Sequence, residues 1–210
     1  MDSRRARGFW SIRVATICTV LGADLFGLNF AWQPASLSAQ QPVTINDLEG
    51  AAISASTTHE RMTRRDGKER PDKYRLDWSI RFISRDTIHT SLVATSNNAR
   101  GTYSKRNVAT VNLARPKATK SRGGGHMLWI FENGVLTFLR TYQGGGMKAI
   151  FAVTRKSGGF ACSATASWPR EVGVPSIVLE SFDKQPMEIL SEKLVASSCQ
   201  VTLGGQAAIQ

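Results

Sequence analysis

The chain has 210 residues, 41% hydrophobic and 20% charged, with a formal net charge of +11 at pH 7. That apolar share excludes an intrinsically disordered chain, and the length leaves room for one domain rather than several. The positive balance favours anionic neighbours over cationic ones.

Arg4, Arg5, Arg7 and Arg13 precede an apolar run from Val14 to Ala23, and Pro34-Ala35-Ser36-Leu37-Ser38-Ala39 supplies a small-residue exit. A basic opening, a short apolar run and such an exit predict a signal peptide over residues 1–39. Asp24 interrupts the run after about ten residues, short of the roughly 20 that a spanning helix needs. Removal of the leader, which holds four arginines and two aspartates, leaves 171 residues at +9. A single β-rich domain is expected over 40–203, with a flexible tail at 204–210. No second long apolar segment follows, so no transmembrane segment is expected after cleavage, and the expected location is periplasmic or secreted. Cys18 departs with the leader. Cys162 and Cys199 then form an even pair in an oxidising compartment, which predicts a disulfide.

Period-two patterning dominates the mature chain. Ala51 to Arg64 reads as a first strand ending at Asp66-Gly67. Tyr74, Leu76, Trp78, Ile80 and Phe82 alternate with Arg75, Asp77, Ser79 and Arg81, the mark of a half-buried antiparallel strand. Ser84-Arg85-Asp86 turns the chain, and Ile88, Thr90, Leu92 and Ala94 continue the alternation. Val108 to Ala114 and Met127 to Phe131 are the next strands. Asn133-Gly134 then makes a hairpin turn into Val135 to Tyr142, since both residue types tolerate positive φ. Met147 to Arg155, Phe160 to Trp168, Ile177 to Glu180 and Leu194 to Leu203 complete the set. Pro186 to Leu194 is the best helix candidate, and extended structure fits it equally well. The pattern predicts an all-β fold, an antiparallel up-and-down meander of about 8–10 strands closing into a barrel, with a two-layer β-sandwich as the alternative.

Asp47-Leu48-Glu49-Gly50, Trp129-Ile130-Phe131, Leu136-Thr137-Phe138-Leu139-Arg140-Thr141, Cys162 and Cys199 together resemble an uncharacterised family of small exported β-rich proteins of soil alphaproteobacteria. The resemblance covers most of the mature chain, implies export and a compact strand-rich domain, and brings no catalytic residue. The strand count is also similar to that of the lipocalin-type barrel, by architecture only. Gly50-Ala51-Ala52 stands where a lipocalin has Gly-x-Trp.

Chemistry-bearing patterns are sparse. His59, His89 and His126 are isolated, lack any zinc-ligand spacing and read as solvated side chains. No Gly-x-Ser-x-Gly elbow occurs, and no two carboxylates are placed together by the sequence. No cofactor and no metal site are expected, and an enzyme is less expected than a binding protein. Trp78, Leu76, Ile80, Trp129 and Phe138 are candidates for an apolar ligand cavity, with a plain packed core as the alternative. Strand counting brings the glycine triads at 123–125 and 144–146 to one rim with Arg85, Lys117, Lys120, Arg122, His126 and Arg170, a candidate anion seat. Arg64, Arg65, Lys68, Arg70, Lys73, Lys105 and Arg106 are placed by the same counting at the opposite end.

The function expected is that of a non-catalytic exported binding module for a small apolar ligand or an anionic envelope polymer. The alternatives are a structural or interaction protein of the cell envelope with a filled core and, third, a hydrolase. No nucleic acid partner is expected, because an exported protein seldom meets one.

Overall fold

The computed structural model describes residues 42–98, 101–120, 125–180 and 185–204. The predicted leader, Arg122 and the tail beyond Gly204 lie outside these residues. In chain order, a 3-10 turn (Ile45–Leu48) leads into β1 (Ala52–Arg65), β2 (Lys68–Ser84), β3 (Thr87–Asn98), β4 (Gly101–Asn112) and the two-residue β5 (Thr119–Lys120). There follow β6 (His126–Glu132), β7 (Val135–Tyr142), β8 (Gly145–Lys156), β9 (Gly159–Ser167), β10 (Ile177–Glu180) and β11 (Pro186–Thr202). The fold is all-β and antiparallel throughout. Its ladders group into a six-stranded sheet, order β10-β11-β1-β2-β3-β4, and a five-stranded sheet, order β5-β6-β7-β8-β9. The larger sheet curls strongly, so the pair forms a half-barrel faced by a second sheet.

The alternation that predicted β2 sets the inner face. Leu76, Trp78, Ile80 and Phe82 are buried. They pair with Thr57, Ala55 and Ile53 of β1, and with Ala94, Leu92, Thr90 and Ile88 of β3. β2 starts earlier than Tyr74. Lys68 to Pro71 pair with β1 alone, and Asp72 is the last β2 residue partnered by β3, so the missing N–H of Pro71 interrupts no second ladder.

The segment Pro186–Leu194 is strand, not helix, and forms the first half of β11. Its register against β1 shifts between Thr58 and His59 and between Met62 and Thr63. Each shift inserts one extra β11 residue, and such bulges increase local twist, which suits a sheet that must curl.

Turns follow the chemistry of their residues. Asn133 and Gly134 take φ of 49° and 79°, the paired positive values of a tight hairpin. Gly125 is needed for a different reason. A Cβ there would meet the Thr141 carbonyl oxygen at 1.9 Å, so only glycine lets β6 start beside the end of β7.

One end of the molecule is sealed. Leu48 and Val43, on and before the 3-10 turn, are buried with Phe82, Ile88, Leu136, Phe151 and Val153 in one apolar cluster. The Thr44 amide and hydroxyl donate to the Asp47 carboxylate at 2.7 and 2.8 Å, and Arg155 adds an ion pair at 2.6 Å. Those hydrogen bonds and that pair lower the Asp47 carboxyl to about 2.

The two sheets are joined covalently. Cys162 of β9 and Cys199 of β11 form the predicted disulfide, Cα to Cα 5.5 Å, closing a sequence separation of 37. Among the described residues no helix is long and apolar enough to cross a membrane.

Candidate functional site

Moving along the strands away from the sealed end, the inner face changes from apolar to aromatic and then to cationic. β2 steps from Phe82 and Ile80 through Trp78, Leu76 and Tyr74 to the charged Asp72 and Arg70, and β7 steps from Leu136 through Phe138 to Arg140 and Tyr142. Side chains two apart share a face, so both strands pass from apolar toward charged side chains in the same direction.

The aromatic level is tightly built. Trp78 of one sheet meets Trp129 and Phe138 of the other edge-on, with ring centroids 6.0 and 5.2 Å apart, and Trp129 and Phe138 lie 4.7 Å apart. Such pairs contribute about 0.5–1.5 kcal/mol each beyond their burial.

Above it lies a second tier. The Arg61 guanidinium sits over the Tyr74 ring at 3.7 Å, and Tyr74 meets Trp168 edge-on at 5.9 Å. Trp168 stacks on Tyr142 at 5.6 Å, and Arg140 covers Tyr142 at 4.9 Å. Trp168 therefore bridges the two sheets between two cation-capped tyrosines. Burial raises the hydroxyl pKa of both Tyr74 and Tyr142, and the nearby arginines offset this only in part. Both phenols are neutral at physiological pH.

Arg61 is itself buried and ion-paired to Asp72, whose other oxygen accepts from the Ser96 hydroxyl at 2.7 Å. Next to it on β1, His59 is fully buried between Glu192 and Thr57 rather than solvated. The odd positions of β1 face inward, a parity the sequence carries from Ile53 onward. His89 and His126 are exposed, as expected.

Between the sheets, on the side of β3, β4, β6 and β7, lies an open cavity of about 820 Å³. Trp78, Trp129, Phe138, Leu92, Ala94 and Met147 supply its apolar wall, and Tyr74, Tyr142 and Trp168 its middle. Ten cationic residues line it, among them Arg61, Arg140, Lys68, Arg70, Lys105 and Lys120, and among the described residues no carboxylate does. β4, the last strand of its sheet, forms one wall and is almost wholly exposed.

Of the residues expected to line a cavity, Trp78, Trp129 and Phe138 do so, whereas Leu76 and Ile80 are fully buried in the core. Of the expected anion rim, Lys117 and Lys120 line the cavity. His126 is exposed beside it, its amide donating to the Thr141 hydroxyl at 2.8 Å. Arg170 makes two backbone hydrogen bonds, to Pro175 and to Leu190, and does not line the cavity. Gly125 and Gly146 flank Thr141 on opposite edges of β7, and Gly145 bridges to Arg170.

Arg85 is elsewhere. It follows Phe82, which bonds to Ala51 at the start of β1, while Leu190 lies beside Met62 and Thr63. About eleven strand residues, some 35 Å, separate the two. The two-residue β5 supplies the reason. It adds one strand between β4 and β6, which reverses the parity used to count loop ends. The same reversal brings Arg65, Lys68, Arg70, Lys105 and Arg106, expected at the opposite end, into the lining of one cavity with Lys117 and Lys120.

Among the described residues no group of three or more His, Cys, Asp or Glu side chains is arranged to hold a metal ion. The chain matches no protein-family model, no curated protein and no solved structure.

Proposed function

We propose that the protein is an exported, non-catalytic binding module that holds a small apolar ligand between its two sheets. The observation that carries this reading is the cavity of about 820 Å³ walled by Trp78, Trp129, Phe138 and Met147. That volume lies within the range of small-molecule sites, which are concave and mostly apolar with a few placed polar groups. The predicted leader and the Cys162–Cys199 bridge support export.

Two measurements test it. Native mass spectrometry of the protein purified from a periplasm should show a bound small molecule, or accept one on titration with N-phenyl-1-naphthylamine, a neutral apolar fluorophore. Ala94→Phe adds a ring to the cavity wall and should weaken uptake of the fluorophore at least tenfold with the disulfide and the far-UV spectrum unchanged. Uptake equal to wild type would remove the cavity as the site, and no uptake by the wild type would leave a structural role of the envelope as the better reading.

A further inference from the structure

The cavity wall is chemically one-sided. Ten cationic residues line it and, among the described residues, no carboxylate does; Arg61 is ion-paired to Asp72 and Arg65 to Asp66 at 3.7 Å, and neither carboxylate lines the space. Its buried polar atoms are one-sided too. The indole N–H groups of Trp78 and Trp168 and the Nε–H of Arg61 are shielded from solvent and have no hydrogen-bond partner among the described residues. All three are donors, and all three belong to residues lining the cavity. Buried donors without acceptors are costly, and an occupant bearing oxygen acceptors would relieve those that its binding brings within reach.

The Trp78–Trp129–Phe138 wall and the Arg61–Tyr74 tier are also separated in depth. Trp78 and Tyr74 are four residues apart on β2, about 13 Å along the strand. The aromatic wall is thus at one level, and Arg61, Tyr74, Trp168 and Arg140 are at the next. An apolar ligand without a charged end would fill the first level and leave the second unsatisfied. A cationic ligand would meet an excess of like charges.

We infer that the occupant is an anionic amphiphile, its chain against Trp78, Trp129 and Phe138 and its carboxylate or phosphate at the level of Arg61, Trp168 and Arg140. This rests on the reading of the cavity as a ligand site and names the class of ligand it takes. The peripheral lysines and arginines draw the anion to the mouth, and the inner tier receives it where water is scarcer and each charge interaction stronger.

The test uses the intact mature protein loaded with N-phenyl-1-naphthylamine, displaced by four twelve-carbon compounds below their critical micelle concentrations. Dodecanoate, dodecyl phosphate, dodecanol and dodecylamine share a chain and differ in the head. At low salt at least one anion should displace the fluorophore at a concentration tenfold or more below that of dodecanol, with dodecylamine weakest. The margin should narrow as salt rises. Whichever anion leads identifies a fatty-acid-type or a phosphate-type head. Equal potency of dodecanol and both anions would overturn the anionic head while leaving the cup intact. Failure of the fluorophore itself to bind would instead defeat the underlying ligand-site reading.

Trp168→Phe keeps the ring between Tyr74 and Tyr142 but removes the N–H. It should lower the anion-to-alcohol ratio several-fold with fluorophore affinity unchanged, and an unchanged ratio would remove Trp168 from the head-group site. Should that variant not fold, the wild-type series alone decides the class of ligand.

Discussion

Arg170 donates to the carbonyl of Leu190, the β11 residue left without a partner on β1 at the second bulge. Its other terminal nitrogen donates to Pro175 at 2.7 Å. One side chain therefore pins the chain leaving β9, the loop before β10 and the bulge of β11. Arg170→Ala should lower stability by about 1–3 kcal/mol, as loss of charge-assisted hydrogen bonds does, and thus Tm by several degrees. Thermal melts of the two proteins check it. An unchanged Tm would return Arg170 to the pool of rim cations.

The Arg61–Asp72 pair is almost fully buried on both sides. Asp72→Asn leaves a guanidinium without its counter-charge and should cost about 3–5 kcal/mol. The double replacement Arg61→Met with Asp72→Leu removes both charges and should cost less than the single one. Denaturant titrations of the three proteins make the comparison. A double mutant less stable than Asp72→Asn would mean that the pair contributes more than its own desolvation.

Tyr74 and Tyr142 give an alkaline prediction. Burial raises both above the ordinary phenol value of 10. Below that value both states keep the phenolic protons and stability is unaffected. Above it the unfolded chain ionises first, so stability falls as pH rises beyond about 10. Tyr74→Phe and Tyr142→Phe should each flatten this fall between pH 10 and 12, read from denaturant midpoints. Parallel pH profiles for variant and wild type would show that the two phenols do not drive it.

The disulfide stitches β9 to β11, and thereby one sheet to the other. A bridge spanning this length of chain is worth roughly 3–4 kcal/mol by the loop-entropy estimate. Cys162→Ser should lose that amount under oxidising conditions, and reductant should then have no further effect on the variant. Equal stability of variant and oxidised wild type would show that the sheets hold together without it.

Much of the fold was legible because its signals are local. The alternation from Tyr74 to Phe82, the turn at Asn133-Gly134 and the parity of Ile88 to Ala94 each depend on neighbours in sequence, and each stands as expected. What failed to show was set by distant pairing. The strand character of Pro186 to Leu194 comes from β1 and β10 on either side, since its own residues suit a helix as well. The polar first half of β2 is strand because β1 runs beside it. β5 is two residues long and leaves no pattern, yet it decides which basic loops share an end. The site is therefore half legible: its aromatic wall follows from strand parity, whereas its cationic mouth is divided by strand counting between two ends. His59 was missed as a buried residue although its inward parity was there to be counted.

Ala52 pairs with Thr202, so the polypeptide enters and leaves the domain at the sealed end, beside the 3-10 turn. The far end of β1, where Arg65 and Lys68 line the cavity, is about 40 Å of strand away. A tether, fusion partner or sensor-chip linkage attached near either flank would hold the domain like a ladle by its base, with the opening turned outward. The nearness of the two flanks also allows them to be spliced and the chain reopened in the exposed 157–158 turn, a permuted protein whose mouth carries no cut.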